Sequence, residues 1–145
     1  MTMIAAATTT VDRPATLPVP DILRRLRRDA ARTRASARLD LFRACAMLST
    51  DRGVAGRAYI DTFLRTLEQG LGRAPVIYCE ACPQMSFDER WIMALVDAQR
   101  RGDRDSFAFL LCSRLPCAAR RHVGFLIAGI ARTTVADGTD VRKTA

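Results

Sequence analysis

The sequence predicts an all-α fold, a compact bundle of about five helices with a long basic N-terminal helix and flexible termini. Three observations predict it. Apolar residues recur at steps of three and four over most of the chain. The strict alternation of a half-buried strand is nearly absent. The connections between the later segments are very short, which forces successive helices to pack against each other. A length of 145 residues suits one domain with a real core.

Residues 1–20 read as a flexible tail: a Thr run, Pro14, Pro18 and Pro20, and no apolar period. Asp21 then has the chemistry of a helix N-cap. A basic helix is expected over 22–49, with Ile22, Leu26, Ala30, Thr33, Ala37, Leu41, Ala44 and Leu48 along one face. Its first half is thin, because Ala and Thr bury little area, and is expected to project from the domain. Removing residues 1–38 is then expected to leave a folded remainder. Asp51-Arg52-Gly53 makes a turn.

A second helix is expected over about 54–71, with Tyr59, Ile60, Phe63, Leu64 and Leu67 inward, ended by Gly70, Gly72 and Pro75. Val76-Ile77-Tyr78 is too short to define a sheet. Ser86-Phe87-Asp88-Glu89 has the form of a capping box, in which the hydroxyl accepts from the amide three residues on and the Glu returns to the Ser amide. It opens a third helix over 87–101 with Trp91, Ile92, Leu95 and Val96 buried. Gly102 ends it and Asp103 caps a fourth over 104–114. Pro116 suits the first turn of a fifth over 116–133, which carries Val123, Phe125, Leu126, Ile127 and Ile130. Residues 134–145 read as a second flexible tail.

The formal net charge is +8. The bases are 22 Arg and one Lys, a skew that fits G+C-rich coding and is not evidence of guanidinium chemistry by itself. Its distribution says more. Residues 1–50 carry nine Arg against four Asp, residues 51–100 six against seven acids, and residues 101–145 eight bases against four acids. The excess lies at the two ends. Arg24, Arg25, Arg27, Arg28, Arg32, Arg34 and Arg38 crowd the first helix, and Arg114, Arg120 and Arg121 form a smaller patch. A basic stripe of this kind suits acidic protein surfaces or phosphates. A small interaction or regulatory protein, docking an acidic partner through the first helix, is the leading expectation. Self-association through the heptad-like stripe is a variant of it.

Nucleic acid is the alternative partner. Segment 86–133 has the length of a helix-turn-helix, but its last helix is apolar after Arg121 and lacks the amide and hydroxyl side chains of a base-reading face. Helix 22–38 is the better phosphate binder, in a sequence-independent way. No membrane span is expected, since the longest apolar run covers only residues 123–131. The first residues lack the charge pattern of a secretory signal, so a cytosolic chain is expected.

Five cysteines carry the other chemical signal. Cys79 and Cys82 form a C-x2-C in a loop, and Cys112 and Cys117 a C-x4-C across a turn. Four thiolates from two such knuckles would suit a tetrahedral zinc, with His122 able to replace one. The first pair alone suits thiol redox chemistry. Otherwise no cofactor is expected. His122 is the single imidazole, flanked by Arg120 and Arg121, and Asp88 and Glu89 are already accounted for by capping. With no nucleophile elbow, Gly-rich phosphate loop or zinc-protease motif, no catalytic activity is expected.

Overall fold

The computed structural model describes residues 19–35 and 41–134. It is all-α, a compact bundle of six helices among the described residues: α1 (Asp21–Ala35), α2 (Leu41–Met47), α3 (Arg52–Leu71), α4 (Phe87–Arg101), α5 (Arg104–Arg114) and α6 (Cys117–Thr134). The expected tails fall almost wholly outside this range.

Helix α3 packs against α6 as the central pair, with α1 and α2 packed on α3, and α4 on both α5 and α6. Phe63 and Leu67 of α3 and Val123, Leu126 and Ile127 of α6 are fully buried between them. The crossing is close because Gly129 has no side chain: a Cβ there would fall 2.2 Å from Cε1 of Tyr59. Tyr59 in turn meets Phe125 with ring centroids 6.1 Å apart. Phe125 lies on the outer side of this contact and is 54% exposed.

The caps follow the sequence signals. Asp51 accepts from the amides of Gly53 and Val54 and starts α3. Ser86 and Glu89 complete a reciprocal capping box at α4. Asp103 accepts from the Ser106 amide at α5. Gly72 and Gly102 both take φ of 68°, the left-handed region that lets a helix end without a Cβ penalty. The helices 54–71, 87–101, 104–114 and 116–133 are thus found with ends shifted by at most two residues.

Helix 22–49 is described over two stretches, α1 and α2, and residues 36–40 lie outside the described residues. The expectation for its first half is corrected: it does not project. Ile22, Leu23, Leu26 and Ala30 are buried in the common core, Leu23 completely. A chain without residues 1–38 would lose these four side chains from the core, so its remainder is expected to be destabilised.

Candidate functional site: a cationic cleft between α1 and α3

The arginines of α1 do three different things. Arg24 pairs with Asp21 one turn away, both exposed. Arg27 points inward, with its side chain wholly buried. Arg25, Arg28 and Arg32 line a cleft beside α3. Arg34 stands in α1, but its side chain lies outside the described residues, and so does Arg38.

Arg27 is a structural residue, which corrects its expected place in a docking surface. Its Nε donates to Oε1 of Glu89 at 2.7 Å and its Nη2 to Oε2 at 3.0 Å. Nη1 donates to the carbonyls of Cys79 (3.1 Å) and Cys82 (2.7 Å), and Nη2 also donates to that of Gln84 (2.7 Å). All five guanidinium donors are thereby used. Glu89 also accepts from the amides of Tyr78 and Ser86, at 3.0 and 2.8 Å. Burial works to raise the Glu89 pKa, but the hydrogen bonds from Arg27, Ser86 and Tyr78 outweigh it and hold the carboxyl below its ordinary value. The loop between α3 and α4 is thus built around a guanidinium.

Arg114 is likewise withdrawn from the expected second patch. It donates to Oδ1 of the buried Asp88 at 2.6 Å and lies over the rings of Phe87 and Trp91, 5.0 Å from each centroid. Asp88 also receives Arg73 through both oxygens and the Val76 amide at 2.7 Å. The Arg73 bond leads the forces that hold Asp88 far below the usual carboxylate range. Arg120 donates to the Leu115 carbonyl, closing the α5–α6 turn. Arg121 remains exposed.

The four cysteines do not assemble. Cys79 and Cys82 sit on the Arg27-bound loop, while Cys112 and Cys117 are exposed near the α5–α6 junction. Among the described residues, no three His, Cys, Asp or Glu side chains are grouped to hold a metal ion, so the expected tetrahedral set on Cys79, Cys82, Cys112 and Cys117 is not formed. His122 stands exposed on α6.

What converges instead is charge. The cleft has a volume of about 280 Å³. From α1 come Arg25, Arg28 and Arg32, and from the first turns of α3 come Arg52 and Arg57. Gly53, Gly56, Ile60 and Thr134 complete the lining. Five arginines therefore line the cleft together with one acidic residue, Asp29. That carboxylate is buried, and burial pushes its pKa up against the pull of Arg32, Arg57, Arg28 and Arg25. Arg32 Nη1 lies 3.7 Å from its Oδ1. On the rim, Arg28 is held at 2.5 Å by Glu80, which belongs to the Cys79–Cys82 turn.

Sequence reasoning missed Arg52 and Arg57. The segment 51–100 is nearly neutral, and that balance hides two arginines whose acidic counterparts are engaged elsewhere. Asp51 caps α3, and Asp88 and Glu89 face inward. A finer signal was available: Arg52, Gly53, Gly56 and Arg57 occupy the start of a helix, where positive charge is normally unfavourable. Cations placed there raise local potential without serving the helix.

Among the described residues no helix is long and apolar enough to cross a membrane. No protein-family model, curated protein or solved structure matches the chain.

Proposed function

We propose that the protein is a small non-catalytic interaction domain that docks an acidic protein segment in the cleft between α1 and α3. One observation carries the reading: five arginines from two helices converge on a single cleft that holds one buried carboxylate. Guanidinium groups bind carboxylates bidentately and are less strongly hydrated than ammonium groups, so they suit contacts that must be desolvated. Clustered like charge also raises the local potential and speeds encounter with an acidic partner.

The cleft favours a protein segment over nucleic acid. Duplex binding needs cations spaced along a phosphate track. Here the charge is gathered in one concavity, and two members of the second basic patch, Arg114 and Arg120, are committed to internal hydrogen bonds. The apolar face of α6 is occupied by Val123, Leu126, Ile127 and Ile130 in the core, which leaves a groove-reading role to its exposed residues alone.

Fluorescence anisotropy with a Glu-rich peptide, a poly-lysine control and a DNA duplex tests the reading. The acidic peptide is expected to bind with an affinity that falls as salt rises, and Arg52→Gln with Arg57→Gln to weaken it about tenfold or more, in line with loss of two charge-assisted contacts. Equal binding by the double variant, or tighter binding of the duplex, would count against it.

A further inference from the structure

We propose that Cys79 and Cys82 are a modification site, a thiol pair that closes reversibly to a disulfide within the native fold. The inference does not depend on what the cleft binds.

The backbone brings the two residues together. The Cys82 amide donates to the Cys79 carbonyl at 3.1 Å, a bond from the fourth residue of a turn to the first. Such a turn holds its end Cα atoms within about 7 Å. A disulfide needs roughly 4.4–6.8 Å between the same atoms. This turn is also fixed from outside itself. Nη1 of Arg27 donates to both cysteine carbonyls, at 3.1 and 2.7 Å, and that guanidinium is anchored in turn by Glu89. The backbone of the turn is therefore held in place before any disulfide forms. Both carbonyls face the guanidinium, and Cys79 is exposed while Cys82 is partly exposed, so a small oxidant reaches the pair without unfolding.

With a peroxide as oxidant the step balances. One thiolate attacks an oxygen of the O–O bond, forming an S–O bond and releasing the other oxygen as water or alcohol. The second thiolate attacks that sulfur, the S–S bond forms, the S–O bond breaks, and the oxygen leaves as water. The two sulfurs lose two electrons, the peroxide gains them, and the two thiol protons end in the released oxygens. Two thiols of a reductant such as dithiothreitol reverse the change by exchange.

The test uses the full chain, reduced, then treated with hydrogen peroxide, alkylated and mapped by peptide mass. Two of the five cysteines are expected to escape alkylation until dithiothreitol is added, and to map to Cys79 and Cys82. Cys79→Ser and Cys82→Ser are each expected to abolish the protected pair, and Cys112→Ser and Cys117→Ser to leave it. Far-UV circular dichroism is expected to stay unchanged on oxidation. A second measurement needs no variant: equilibration of the wild-type chain with glutathione, native and in concentrated urea. The native chain is expected to favour the disulfide about tenfold more, about 30 mV for this two-electron couple, because urea dissolves the Arg27-held turn. Mapping of the bond to Cys45, Cys112 or Cys117, separate oxidation of Cys79 and Cys82 to sulfinic acids, or equal constants in the two states would overturn the proposal.

Discussion

Replacing Arg27 with Met tests whether one buried guanidinium holds the α3–α4 loop to the bundle. The substitution keeps an unbranched side chain of similar length and removes all five donors. Glu89 would keep only the amides of Ser86 and Tyr78, as a carboxylate buried without a countercharge. Removing one partner of a buried ion pair costs about 3–5 kcal/mol. The carbonyls of Cys79, Cys82 and Gln84 also lose their donor. Those of Cys79 and Gln84 belong to exposed residues, where water replaces much of the lost bond, so the pair dominates the cost. Domains of this size are stable by about 5–15 kcal/mol, so the variant is expected to sit near its unfolding threshold. At roughly 3–4 °C per kcal/mol the melting temperature falls by about 10–20 °C. Urea titration followed by circular dichroism measures it, and the double variant Arg27→Met with Glu89→Gln, which removes the charge and keeps an acceptor for the Ser86 and Tyr78 amides, is expected to be more stable than Arg27→Met alone. A loss below about 1 kcal/mol for the single variant, or a double variant less stable than the single, would refute the assignment.

Three further outcomes are expected. Gly129→Ala gains up to about 1 kcal/mol of helix propensity, but its Cβ falls on the Tyr59 ring. Overpacking of about 1–3 kcal/mol is expected to win, giving a lower urea midpoint. Asp88 and Glu89 have pKa values lowered by folding. Their stabilisation is therefore present above the unfolded-state values near ~4 and lost as pH falls through the native values, so chemical denaturation between pH 6 and ~2 should show stability declining with acid. Asp88→Asn is expected to flatten that decline. Finally, Glu80 occupies Arg28 on the cleft rim. Exposed pairs are weak, so Glu80→Gln is expected to tighten Glu-rich peptide binding by only about two- to fivefold in the anisotropy assay.

Local chemistry was the legible part of the fold. Ser86 with Glu89, Asp103, Gly72 and Gly102 mark helix ends through bonds made within a few residues, and all of them act as their sequence context implies. The position of α1 was not legible, because Ile22, Leu23, Leu26 and Ala30 are few and lie among charges that read as a solvated face. The same difficulty hid Arg27. An arginine can be buried only if a partner is buried with it, and that partner stands 62 residues away in a motif whose capping role already explained it. Glu89 does both, accepting from Ser86 and from Arg27 with different lone pairs. The cysteine pattern was legible as a knuckle but not in its content, since carbonyls gathered by a guanidinium leave no trace in residue spacing. The cleft was half legible: Arg25, Arg28 and Arg32 stood out, whereas Arg52 and Arg57 join them only through the packing of α1 on α3.

The claim that the α1–α3 cleft is the docking surface meets its most direct test in a backbone NMR titration with an unlabelled Glu-rich peptide. Amide shifts are expected to concentrate on residues 25–32 of α1 and 52–57 of α3, and to vanish at high salt. Shifts centred instead on Arg121 and His122, or on the exposed Phe87 edge, with residues 25–32 and 52–57 unmoved, would contradict it.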